Sequence, residues 1–279
     1  MSFDYKDALI MGGLGTAGLG AYLYGKYSHK KALDKVLAED AIRRNSPDYS
    51  VPTKEEYEKL RDVSGLDVNI GGYSPADLRA GADPNNAYFI LQNTPGKGRG
   101  YLADKLKGKS GTVLLGPDSR SITTLAHELG HSRNYKEGRL SSRRRKQFTA
   151  TLLSGALGFL IGKGGYALLR YLRGTDKLSP EAHAGWSIAP SVLAGLAAGV
   201  GSWIGDSYGV DEEEEATKNA LKYLKEYGHK SSELRKDKKN LELALDTYRK
   251  ARLANALRYT GIGLGAGALS YGFNKWWNS

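Results

Sequence analysis

Residues 121–135 read Ser-Ile-Thr-Thr-Leu-Ala-His-Glu-Leu-Gly-His-Ser-Arg-Asn-Tyr, and the reading of the whole chain turns on them. They contain His127-Glu128-Leu129-Gly130-His131, an H-E-x-x-H. On a helix, positions four apart share one face, so both imidazoles point the same way. Two neutral imidazoles at that spacing hold one Zn²⁺, and the carboxylate of Glu128 beside them can take a proton from water. Ser121 or Thr123 caps the helix after the turn-forming Gly116-Pro117-Asp118. Ile122, Leu125, Ala126 and Leu129 give it an apolar side for burial. Gly130 costs a helix interior about 1 kcal/mol against alanine, and reads as room for a close backbone approach. The rival reading is a solvated His/Glu turn on an exposed helix. Against it, the chain has five His, two of which fall in this pattern, and the segment is apolar rather than charged.

The 279 residues include no cysteine, which excludes a disulfide framework and any thiolate metal site. A zinc site here must be built from His and carboxylate. The formal charge of +11 suits either a nucleic-acid binder or a membrane protein with a basic cytoplasmic side. The placement of the charges separates these two.

Residues 8–25 carry no charge and are about long enough to cross a bilayer. A signal peptide is the alternative there. Acidic Asp4 and Asp7, and the lack of a small-x-small cleavage pattern before Lys26, speak against it. Residues 26–62 are charged and helix-prone, and Thr53-Lys-Glu-Glu resembles a capping box opening a short helix. From Gly65 to Pro117, short runs such as Ala87-Tyr-Phe-Ile-Leu-Gln and Thr112-Val-Leu-Leu read as strands. Three further apolar runs follow: Phe148 to Leu169, Trp186 to Gly205 and Tyr259 to Phe273. They carry the pairs Gly158/Gly162, Gly195/Gly199, Gly201/Gly205, Gly261/Gly265 and Gly263/Gly267, a spacing that lets helices approach closely in lipid. Four transmembrane helices are the expectation. A low mean hydropathy of −0.47 favours instead a buried glycine-rich helical core.

If all four runs span, residues 26–147 and 209–254 share one side. That side holds Lys26, Lys30, Lys31, Arg143-Arg-Arg-Lys and Arg249-Lys-Ala-Arg close to the membrane, so the positive-inside rule makes it cytoplasmic. The expected organisation is a first transmembrane helix at 1–25 and a cytoplasmic domain with the H-E-x-x-H helix at 26–147. A transmembrane hairpin at 148–208, cytoplasmic helices at 209–254 and a last transmembrane helix at 255–279 complete it. The basic cluster is thereby explained, and no DNA or RNA recognition motif accompanies it.

Two His do not complete a catalytic zinc site, which takes three protein ligands and a water. Residues 211–227 form a strong helix pattern whose buried face is marked by Ala216, Ala220, Leu221 and Leu224. Glu213 and Glu212 lie three and four residues before Ala216, on that face. Any one carboxylate of Glu212–Glu215 is a candidate; a solvated acidic first turn, favoured by the helix dipole, accounts for the others. The succession of H-E-x-x-H helix, two apolar helices and then Glu213-Glu-Glu-Ala216-Thr217 resembles the integral-membrane gluzincins, the H-E-x-x-H zinc endopeptidases and neutral zinc metallopeptidases of bacterial membranes. The resemblance covers the two motifs and the segment between them, and not residues 26–110. It implies His127, His131 and Glu213 as zinc ligands and Glu128 as general base. Thr217 stands where the family pattern has Asp or Ser.

The expectation is a mainly α membrane protein, with about four transmembrane helices and a cytoplasmic zincin-like α+β metallopeptidase domain. Its function would be zinc-dependent hydrolysis of peptide bonds, with Zn²⁺ as cofactor, a protein or peptide substrate and the lipid bilayer as partners, and no specific nucleic acid. The alternative is a membrane structural or assembly protein of a cell envelope or virion, with a vestigial or structural metal site.

Overall fold

The computed structural model describes residues 5–46, 50–73, 78–79, 87–91, 111–173 and 186–277. Helix α1 spans Tyr5–Arg44 and α2 Lys54–Ser64; strands β1, β2 and β3 span Asn69–Gly72, Ala87–Leu91 and Gly111–Leu115. After a 3-10 turn at Pro117–Ser119 come α3 (Ile122–Lys136), α4 (Arg139–Arg173), α5 (Ala189–Tyr227) and α6 (Ser231–Trp277). The chain divides into two compact units. One comprises residues 1–34, 143–210 and 246–279, and the other residues 35–142 and 211–245.

The second unit carries the sheet, in the order β1-β3-β2. Strand β3 is central, parallel to β1 with Ile70 opposite Val113, and antiparallel to β2 with Phe89 opposite Val113. All five β3 residues are buried, as a short continuous apolar run flanked on both sides requires. The capping box at α2 forms: Thr53 Oγ1 accepts from Glu56 N at 3.2 Å, and Glu56 Oε2 accepts from Thr53 N at 2.7 Å. Gly65 closes that helix at φ 65°, the left-handed conformation that suits glycine. Leu60, Val113, Leu115, Leu125, Leu129 and Leu224 are fully or almost fully buried in one cluster, which joins α2, β3, α3 and α5. The apolar side of α3 is therefore what anchors the H-E-x-x-H turn.

The first unit contains the glycine-rich parts of the long helices. Gly195 on α5 and Gly263 on α6 meet face to face; a Cβ on Gly195 would lie 2.9 Å from Gly263 N, and one on Gly263 would lie 2.8 Å from Ser191 O. Only hydrogen at both positions admits this approach. Between the same two helices Arg252 lies over the Trp203 ring at 4.0 Å and donates to Trp203 O at 2.7 Å. Many large apolar side chains here face outward, among them Leu157, Leu160, Ile161 and Leu269.

The expected fold class is corrected on one point that governs the rest. Among the described residues no helix is long and apolar enough to cross a membrane, so the expected membrane fold with about four transmembrane helices is overturned. Length is not what is lacking, because α1, α4, α5 and α6 run 40, 35, 39 and 47 residues. What is lacking is apolar content. Gly, Ala, Ser, Thr and Tyr fill the uncharged runs, and these contribute far less to insertion than Leu, Ile, Val or Phe. Absence of charge is not presence of hydrophobicity. What the runs form is a largely helical fold in which glycine sets helix spacing. The expected boundaries at 25, 147, 208 and 254 each fall inside a continuous helix. Residues 174–185, and the side chains of Arg143 to Lys146, lie outside the described residues.

Candidate metal centre

Ser121 caps α3, its hydroxyl accepting from Thr124 N at 3.0 Å. From that start the helix places His127 and His131 on one face, as spacing four requires. Their rings meet edge to face with centroids 4.7 Å apart, and the two Nε2 atoms are 3.2 Å apart. Glu213 on α5 comes to the same point. Its Oε2 lies 3.1 Å from His127 Nε2 and 3.3 Å from His131 Nε2. The three atoms thus make a nearly equilateral triangle. Donor atoms bonded to a tetrahedral zinc at about 2.0–2.1 Å lie about 3.3 Å from one another. The triangle has that size, and its donor set of two imidazoles and a carboxylate is one zinc accepts.

Glu128 is buried, and a carboxylate oxygen of it lies within 4.8 Å of the ligand atoms of both His. It is close enough to exchange protons with a molecule held between the rings.

The close meeting of α3 and α5 depends on Gly130. A Cβ built there would lie 2.8 Å from Ala216 Cα and nearer still to Ala216 O. Backbone packs on backbone, which brings Glu213 to the rings. Asn134, fully buried on α3, locks the register: its Nδ2 donates to Glu212 O at 3.2 Å, and its Oδ1 accepts from Asn219 Nδ2 at 3.4 Å.

Burial alone would lower the His131 pKa. Hydrogen bonds with Glu212 and Glu213 outweigh burial and hold the ring well above the usual histidine range. Burial likewise pushes Glu213 up, but hydrogen bonds from His127 and His131 prevail and hold its carboxyl at about 2. His127 Nδ1 and the Thr217 hydroxyl are buried with no hydrogen-bond partner among the described residues.

Two participants are not evident from residue spacing. One is Asn134; its only signal is a polar side chain three residues beyond His131, on the face of α3 that carries both rings. The other is the contact of Glu212, whose Oε1 lies 3.3 Å from His131 Nδ1. The sequence places Glu212 on the correct face but cannot say which ring nitrogen it meets.

Comparison of the chain with protein-family models, with curated proteins and with solved structures found no match.

Proposed function

We propose that the protein is a zinc-dependent endopeptidase that hydrolyses peptide bonds, with His127, His131 and Glu213 holding the ion and Glu128 acting as general base. The observation that carries this reading is the 3.1–3.3 Å triangle of two imidazole nitrogens and a carboxylate oxygen, drawn from two helices, with a further buried carboxylate beside it. Zinc in such a set supplies Lewis acidity, polarising a carbonyl and activating water.

The chain's own groups supply the proton transfers. Glu128, held on the same turn as the two His, accepts a proton from the attacking water. The protonated Glu128 then passes it to the nitrogen of the departing amine, so that one carboxylate serves both halves of the reaction. Leu125 and Leu129, fully buried on α3, keep the turn that carries Glu128 from shifting.

The test combines metal analysis with one substitution. Purified protein should contain one zinc per chain and cleave an unstructured substrate such as casein. Glu128→Gln should keep the zinc and lose activity by about 10²–10⁴-fold, the range general bases contribute. Protein without zinc, or a variant as active as the parent, would refute the assignment. Zinc bound in both with no cleavage by either would make the site structural.

A further inference from the structure

Two consecutive residues of α5 address the two nitrogens of one ring. Glu213 Oε2 lies 3.3 Å from His131 Nε2, and Glu212 Oε1 lies 3.3 Å from His131 Nδ1. The Glu212 and His131 side chains are nearly buried, at 11% and 14% exposure, so this contact is little screened by water. The main chain of Glu212 is held as well, its carbonyl accepting from the fully buried Asn134. Asn134 belongs to α3, three residues beyond His131, so the helix that carries the ring also fixes the carboxylate behind it. The other ring has no such support, since His127 Nδ1 is buried without a partner among the described residues.

We infer that Glu212 is a positioning residue: it accepts the Nδ1 proton of His131, and so fixes the tautomer and ring angle that leave Nε2 free to bind the metal. The inference rests on the zinc reading above and adds to it an unequal division of labour. His131 has a carboxylate behind its Nδ1, and His127 Nδ1 has no partner among the described residues. The chemistry is that of a carboxylate behind a metal-binding imidazole, which sets the ring's orientation and raises its basicity; loss of such a partner typically weakens metal binding 10–100-fold. The bond from Asn134 keeps α5 in register, so that Glu212 and Glu213 cannot exchange places by a small rotation of the helix.

The experiment uses full-length protein labelled with ¹⁵N in histidine, with zinc added, and two variants. In the parent, the His131 imidazole should show a proton on Nδ1 that exchanges slowly with water, with Nε2 metal-bound. E212A should lose that protected proton, and its zinc dissociation constant, read by competition with a chelating dye, should rise by about 10–100-fold. E212Q retains an acceptor oxygen and should recover the protected proton and most of the affinity, whereas a residue needed only for packing would leave the His131 Nδ1 proton in place in E212A. Parent-like affinity in E212A, or coordination of zinc through His131 Nδ1, would overturn the inference and leave the zinc reading intact. A parent protein that takes up no zinc would overturn both. Should E212A fail to fold, the spectrum of the parent decides alone.

Discussion

Gly130→Ala adds one methyl group at the point where α3 and α5 touch. The added Cβ would sit 2.8 Å from Ala216 Cα, and both neighbours in this contact are backbone, which no rotamer change can relieve. A carbon–carbon contact needs roughly 3.5–4 Å, so α5 must retreat by about 1 Å. Overpacking of this kind costs about 1–3 kcal/mol, against which the better helix propensity of alanine returns up to about 1 kcal/mol. The net expectation is a loss of about 1–2 kcal/mol. The larger effect falls on the site. A retreat of about 1 Å opens the 3.1 and 3.3 Å distances from Glu213 to the two rings beyond the span a single zinc bridges. Zinc affinity should therefore fall more steeply than stability. The assay pairs a urea melt with dye-competition zinc binding. The control is Gly164→Ala, also within a helix but with nothing within 4 Å of the added carbon; it should be neutral or slightly stabilising. Zinc bound by Gly130→Ala with parent affinity would refute the claim that backbone contact sets the site.

Three further outcomes follow from the same geometry. Leu129→Ala removes a fully buried side chain from the cluster beneath the H-E-x-x-H turn and should cost about 2–5 kcal/mol in a denaturant melt, whereas a cost under 1 kcal/mol would show that the cluster can collapse freely. Chelator treatment should lower the unfolding temperature; zinc at a hundredfold excess over its dissociation constant stabilises by about 2.7 kcal/mol, and a melt indifferent to chelator would mean that the ion is not held by the folded form. The metal-free protein should be most stable between about pH 4.5 and 6.5. Glu213, depressed from 4.5 to about 2, contributes stability that is lost as pH falls through that interval, and His131, raised above 6.5, contributes stability that is lost as pH rises through its folded value. Urea melts from pH 3 to 9 that rise or fall in one direction only would contradict this.

Some of this architecture can be read from the residues and some cannot, for physical reasons. Helical period alone puts His127 and His131 on one face, and the alanines and leucines of α5 put Glu212 and Glu213 on its buried face. The capping box at Thr53 and the cap at Ser121 are likewise local, each closed within three residues. Strand order is not local: that β1 runs parallel to β3 with β2 on the far edge depends on crossovers that no periodicity records. The glycine-rich runs are ambiguous because small residues serve two settings. Gly195 and Gly263 allow backbones to touch whether the surroundings are lipid or protein, so their spacing reports on helix contact and not on the medium. Glu212 and Glu213 differ by one position and share a face, so only coordinates assign one to Nδ1 and the other to Nε2.

His127 and Glu213 stand 86 positions apart, and this distance has a consequence for the order in which the protein is made. A growing chain that has just emerged past α3 carries the whole H-E-x-x-H and yet has no third donor. The acid that meets the two rings arrives only with α5, much later in synthesis. A truncated or unfinished product therefore presents the two rings without the carboxylate, and the cluster forms only once the second unit has been completed and its distant strands and helices are gathered around it.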